Sequence, residues 1–133
     1  MSIYLAHPFD ARFEMRKWEL ATEVKYDIEI INPFYDITRE DVDVIDSGIA
    51  GRYERLNPQE LVNRDLEAIY SCDELLAIVN GCLSYGTLME IVYARLCDKD
   101  ISIVCTNGHE KHPWLQYHAD EVYTSLEEYE QTL

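Results

Sequence analysis

Glu90 is the residue of this 133-residue chain around which chemistry is easiest to build. It lies four residues after Gly86, in the opening turn of a helical segment whose members Leu88, Met89, Ile91 and Val92 are all apolar. A carboxylate in that company either projects into a cleft or bears a desolvation cost, and the cleft is the cheaper solution. Gly86 and Thr87 allow a ligand close to the backbone, and amides at a helix start favour a charged carboxylate. Such a group in a crevice is a competent nucleophile; at a helix start it is equally an ordinary acid placed to suit the macrodipole. Tyr4, in the apolar run Ile3-Tyr4-Leu5-Ala6, has a hydroxyl that needs a partner when buried, so it either meets Glu90 or simply packs. Asp65, just before Leu66, and Asp73, at a helix-to-strand junction, are surface or capping acids, or one of them is the proton donor that complements a carboxylate nucleophile in glycosyl transfer.

These side chains need a scaffold, and the apolar pattern describes one. Ile3 to Ala6 reads as a first strand ended by His7-Pro8. Asp10 is placed to cap a helix reaching Tyr26, with Phe13, Trp18, Ala21 and Val24 on its apolar side and Glu14 and Glu19 on its wet side. Ile28, Ile30 and Ile31 form a second strand stopped by Asn32-Pro33. A polar stretch from Phe34 to Leu56 follows, long enough to be a functional loop or a disordered one, with Asp36, Glu40, Asp41, Asp43 and Asp46 as a solvated face. Asn57, Pro58 and Glu60 open a helix running to about Tyr70, striped by Leu61, Leu66 and Ile69. Leu75 to Val79 reads as a central strand buried on both faces, and a helix is expected from Leu88 to about Leu96. Ile101 to Cys105 is a fourth strand, Pro113 opens a helical turn, Val122-Tyr123 is a fifth strand, and Ser125 with Glu128 caps a terminal helix.

Strands alternating with helices predict one α/β domain, 1–133, with a five-stranded parallel sheet and helices on both faces, doubly wound in the flavodoxin or Rossmann manner. Ligands of such sheets lie beyond the carboxyl ends of the strands where strand order reverses, which directs attention to residues 7–12 and 80–90.

Composition narrows the function. No apolar run approaches the roughly 20 residues a bilayer requires, and the first residues lack the basic and long apolar stretches of a secretory signal, so a cytoplasmic protein with no membrane association is expected. A net charge of −15 repels a phosphate backbone, and the few cations are scattered, so no nucleic acid polymer is expected as partner. The cysteines at 72, 82, 97 and 105 form no CxxC pair and read as reduced thiols, mostly in the core. A metal reading would join Cys105 to His109, His112 and His118, a spacing that matches no common zinc pattern, whereas a surface loop accommodates these histidines.

The chain resembles the nucleoside 2-deoxyribosyltransferase family. The resemblance is carried by Ile3-Tyr4-Leu5-Ala6 with Pro8-Phe9-Asp10-Ala11-Arg12, by Asn63-Arg64-Asp65-Leu66, by Asp73-Glu74-Leu75-Leu76, and by Gly86-Thr87-Leu88-Met89-Glu90 with Tyr93-Ala94. These segments appear in family order from residue 3 to about 105. The resemblance implies that Glu90 attacks C1′ of a 2′-deoxynucleoside, that Tyr4 orients it, and that Asp65 handles the proton at the departing base. Free nucleobase is then the second substrate, with no metal and no organic cofactor. Phe9, Arg12, Asp36, Ser84, Gly86 and Trp114 are the accompanying substrate-binding candidates.

Ser84 departs from the aspartate that many relatives carry six residues before the nucleophile. It matches the serine of related deoxynucleoside-monophosphate N-glycosidases, so hydrolysis of a 5′-monophosphate is the alternative, beside a catalytically silent nucleotide-binding module. Trp114 is either a residue lent to a neighbouring subunit's site or a core tryptophan. The resemblance also implies a homo-oligomer, at least a dimer.

Overall fold

The structure, a computed structural model, describes residues 1–35 and 57–133. Five strands, β1 (Ser2–Ala6), β2 (Glu29–Ile31), β3 (Glu74–Val79), β4 (Asp100–Cys105) and β5 (Glu121–Tyr123), pair in the order β2-β1-β3-β4-β5. Every pairing is parallel, with Tyr4 opposite both Ile31 and Leu75, and Ala77 opposite Ile103. The order turns back at β1, so the switch point lies between β1 and β3.

Between the strands run α1 (Arg12–Tyr26), α2 (Pro58–Ser71), α3 (Tyr85–Leu96) and α4 (Pro113–His118), and α5 (Leu126–Glu130) follows β5. Strand alternation divides the core. Tyr4, Ala6, Leu75, Ala77, Ile101 and Ile103 face α2, α3 and α4 through Ile69, Ile91, Ala94 and Leu115. Ile3, Leu5, Leu76, Ile78 and Val104 face α1 and α5 through Met15, Trp18, Leu126 and Tyr129. Helices thus cover both faces, as the alternating pattern requires.

Local chemistry sets the helix ends. Asn57 Oδ1 accepts the Glu60 N–H at 3.2 Å with Pro58 in the first helical position. Ser125 Oγ accepts the Glu128 N–H at 3.2 Å, while the Glu128 carboxylate reaches back one residue further than a capping box does, to the Thr124 hydroxyl at 2.7 Å. Asp27, with φ of 52°, ends α1 in the left-handed conformation more often taken by glycine.

Three expectations about α1 are corrected. Helix α1 turns a different face inward, because Ala11 and Met15 set its register. Phe13 and Val24 are exposed, Ala21 is exposed as well, and Glu19, expected on the wet side, is fully buried. Glu19 is tolerated there because the Asn32 side chain donates to it at 2.8 Å and Arg16 at 3.2 Å. Asp10 makes no capping bond; a 3-10 turn, Phe9–Ala11, leads the chain into α1 from Pro8 instead.

Helix α3 begins three residues earlier than the apolar run suggested, since Ser84 caps it. Glu90 therefore stands in the second turn, away from the free amides of the first. The histidines also divide: His109 and His112 are exposed, but His118 is buried and stacked 5.8 Å from Trp114, and His7 is buried at the end of β1. Of the four free cysteines, Cys72 and Cys105 lie in the core, Cys97 is half-buried and Cys82 is exposed. The stretch 36–56, with Asp36 and the acids read as a solvated face, lies outside the described residues.

Candidate active site

Glu90 meets Tyr4 on the side of the sheet covered by α2 and α3. Tyr4 is fully buried in β1, and its hydroxyl donates a hydrogen bond to Glu90 Oε2. Gly86, one turn before Glu90, keeps this side of α3 low: a methyl group added there would stand 3.8 Å from Glu90 Oε1. A short helix step and a strand thus place a hydroxyl donor, a bare backbone and a half-buried carboxylate together. An oriented carboxylate of this kind can act as a nucleophile toward an electrophilic carbon or as a general base.

A crevice of about 260 Å³ opens beyond the carboxyl ends of β1, β3 and β4, lined by Pro8, Asn80, Gly81, Cys82, Ser84, Thr87, Leu88 and Asn107. Its helical wall is the Ser84, Thr87 and Leu88 face of α3, whereas Gly86 and Glu90 lie on the adjoining face, and Glu90 is not part of the lining. The two faces meet at the same helix start. Ser84 Oγ is 2.8 Å from Thr87 Oγ1 and accepts the Thr87 N–H at 3.2 Å, so the hydroxyl that resembles a phosphate ligand is also the helix cap.

Cys82, a second nucleophile by residue type, is a poor one. Its hydrogen bond to Asp10 pushes its pKa up, with burial and the Asp10 charge acting in the same direction, so the less reactive thiol is favoured. Asn107 shapes the crevice floor, donating to the Asn80 carbonyl at 3.2 Å and accepting from the Cys105 thiol at 3.0 Å. That contact turns Cys105 inward, while His112 Nδ1 accepts the Trp114 N–H at 3.2 Å and His118 Nδ1 lies 2.7 Å from the Trp114 carbonyl. Among the described residues no group of three or more His, Cys, Asp or Glu side chains could hold a metal ion.

The other candidates fall in different places. The Arg12 guanidinium lies over the Phe9 ring at 3.7 Å and over Phe13 at 4.3 Å, and it donates to the Phe9 carbonyl at 3.1 Å. Phe34 adds an edge-on ring 5.8 Å from Phe9, forming a small aromatic pile at the ends of β1 and β2. Asp65 is half-buried on α2 and Asp73 is exposed, accepting the Ser2 N–H at 2.9 Å as a tie between β1 and the start of β3. Trp114 is 70 % exposed on α4.

Sequence reasoning missed the buried set His7, Asn32 and Glu19, with the half-buried Arg16 at its end. Its only trace was spacing: Ala11, Met15, Glu19 and Thr22 recur at helical intervals, with a carboxylate occupying a core position.

No protein-family model and no curated protein sequence matches the chain. Solved structures do share its fold. A 2-deoxyribosyltransferase from Bacillus psychrosaccharolyticus superposes with a TM-score of 0.71 at 15 % identity, over 98 % of this chain and 90 % of that one. A CMP N-glycosidase from Clostridium botulinum gives 0.62 at 20 % identity, covering 99 % and 96 %. A 2-deoxyribosyltransferase from Leishmania mexicana gives 0.58 at 18 % identity, covering 96 % and 92 %. At identities this low the superpositions establish a common fold and nothing beyond it.

Proposed function

We propose that this chain is a member of the nucleoside 2-deoxyribosyltransferase family and exchanges the base of 2′-deoxynucleosides through a covalent glutamyl intermediate. The observation that carries the reading is the hydrogen bond from the buried Tyr4 hydroxyl to Glu90, within an ordered set of segments resembling that family and on a fold shared with two such transferases. Glu90 Oε attacks C1′ from the face opposite the base; the C1′–N bond breaks and its electron pair leaves with the base, which takes a proton from Asp65. A free nucleobase then attacks C1′ through nitrogen and gives its N–H proton to the Asp65 carboxylate, the ester C–O bond breaks with its electron pair returning to Glu90, and two inversions restore the β-anomer. Tyr4 holds the carboxylate in its attacking orientation. The residues named suffice for these steps without a metal or an organic cofactor.

A homo-oligomer fits the surface of α3. Tyr85, Met89, Val92 and Leu96 recur at helical spacing and are exposed, with Trp114 and Tyr117 of α4 exposed nearby. On a chain of net charge −15, an apolar stripe flanking Glu90 is suited to a second copy. Among the described residues no helix is long and apolar enough to cross a membrane, so a lipid-spanning role is not competing for that stripe.

The test is direct. Incubation with deoxyinosine and free cytosine should yield deoxycytidine and hypoxanthine; no exchanged nucleoside with any donor and acceptor pair sinks the proposal. A second reading, hydrolysis of deoxynucleoside 5′-monophosphates, is favoured by Ser84 in the crevice wall and by the CMP N-glycosidase of the same fold. It predicts free base released from a monophosphate and none from the matching nucleoside.

A further inference from the structure

A buried polar chain lies beneath the crevice edge, and the reaction above does not use it. Asn32, fully buried, accepts the Phe34 N–H on Oδ1 at 3.0 Å and donates from Nδ2 to Glu19 Oε1 at 2.8 Å. These two contacts fix which way the amide points. Its Oδ1 also faces His7 Nε2 at 3.1 Å, and His7 Nδ1 lies 2.8 Å from the carbonyl of Pro8, a crevice residue. Arg16 closes the far end on Glu19. Apolar side chains would hold two strand ends and a helix together at smaller desolvation cost, so the polar chain calls for a reason beyond packing.

What it holds is aromatic. The Phe34 ring lies 4.9 Å from the His7 ring and edge-on to Phe9, whose own ring is covered by Arg12. The Asn32 carbonyl also accepts the Tyr35 N–H at 3.0 Å, so one residue grips both positions of the turn that follows β2. Phe9 and Phe34 thereby project from the carboxyl ends of neighbouring strands, the edge at which ligands of such sheets bind.

We infer that Asn32 and His7 are positioning residues that hold Phe34 against Phe9, so that this pair receives the planar base of the substrate in one orientation. The inference rests on the base-exchange reading. A preformed aromatic wall spares the substrate the cost of ordering it, and contact with the faces of the base, which persists as the C1′–N bond breaks, serves the ground state and the transition state alike. Its loss is therefore read in KM and not in kcat.

The experiment is steady-state kinetics with a deoxynucleoside donor and a saturating free base, on wild type, Asn32→Ala, Phe34→Leu and the double variant. Each single change should raise the donor KM roughly tenfold, the scale of one lost base–aromatic contact, with kcat nearly unchanged. The double variant should be no worse than the poorer single, because both act through one ring. Phe34→Tyr should restore a KM close to wild type.

Additive losses, or a fall in kcat at unchanged KM, overturn the inference. Phe34→Leu leaves the buried amide in place, so it remains informative should Asn32→Ala fail to fold. A wild type without base exchange removes the function itself; an active wild type whose KM ignores Phe34→Leu removes only this inference.

Discussion

The Tyr4 hydroxyl donates to Glu90 Oε2 across 86 positions of sequence, from the middle of a buried strand to the second turn of the helix that covers it. The hydroxyl belongs to a side chain with no solvent access, so its direction is set by the packing of β1 between β2 and β3. The carboxylate inherits that direction. Removing the donor and removing the acceptor should have different consequences.

Glu90→Gln keeps an oxygen acceptor for Tyr4 and removes the nucleophile. Base exchange should fall by at least about 10³-fold while the thermal midpoint stays near wild type, since isosteric replacement leaves the packing alone. Intact mass after incubation with a deoxynucleoside should show one added deoxyribosyl group on wild type and none on the variant. A labelled variant would refute the role of Glu90.

Tyr4→Phe keeps the ring and removes one hydrogen bond to a carboxylate, an interaction of about 1.5–3 kcal/mol. If that interaction orients the attack, kcat should fall roughly 10- to 100-fold with the fold retained. Undiminished kcat would leave Tyr4 as a packing residue.

Gly86 is inside a helix, has no positive φ, and among the described residues a methyl group there would meet Glu90 Oε1 first, at 3.8 Å, beyond its own helix backbone. Gly86→Ala should therefore stabilise the protein by roughly 0.5–1 kcal/mol, measured by denaturant unfolding. Gly86→Val, with a branched side chain beside Glu90 Oε1, should instead lower kcat/KM, because it narrows the approach to the carboxylate.

Glu19→Ala leaves Asn32 Nδ2 without its buried acceptor. Unfolding free energy should drop by about 2–3 kcal/mol, the range for a lost hydrogen bond to a charged group, where a surface glutamate would cost almost nothing. Urea denaturation distinguishes the two.

His7 has its pKa lowered from 6.5, chiefly by burial, with its contacts to Pro8 and Asn32 opposing in part. The unfolded chain thus binds this proton more readily than the folded one, so the stability contributed by neutral His7 is complete above about pH 6.5 and is lost as pH falls through the folded value. Glu74 has the opposite sign: burial raises its pKa above 4.5 against the hydrogen bonds from Ser102 and Tyr129, so its contribution is complete below about pH 4.5 and is lost as pH rises through the raised folded value. The thermal midpoint gap between wild type and His7→Gln should narrow on going from pH 7.5 to 5.5, by differential scanning calorimetry. A constant gap would show that His7 does not titrate there.

The alternation of strands and helices was legible because parallel α/β units follow from short-range signals: apolar runs at 3–6, 75–79 and 101–105, caps at Asn57 and Ser125, and the stop at Asn32-Pro33. Glu90 was legible for a related reason, as a charge in an apolar helix has few inexpensive solutions. The inward face of α1 was not. Phe13 and Val24 obey a helical period as well as Met15 and Glu19 do, and only the docking of α1 on the sheet through Ala11, Met15 and Trp18 chooses between the two faces.

Pairings between distant residues are decided by the tertiary structure, even where, as for Tyr4 and Glu90, the sequence offers the pair as one of two readings. Nothing local to Tyr4 names Glu90, and nothing local to Asn32 names Glu19 or His7; those bonds exist because crossovers bring strand ends and helix starts to one edge of the sheet. The helix start at Tyr85 is an intermediate case, set by the Ser84 hydroxyl that local sequence did display. Periodicity reports how a segment shields its own apolar side from water, whereas the partner of a buried polar atom depends on which segments the fold sets opposite it.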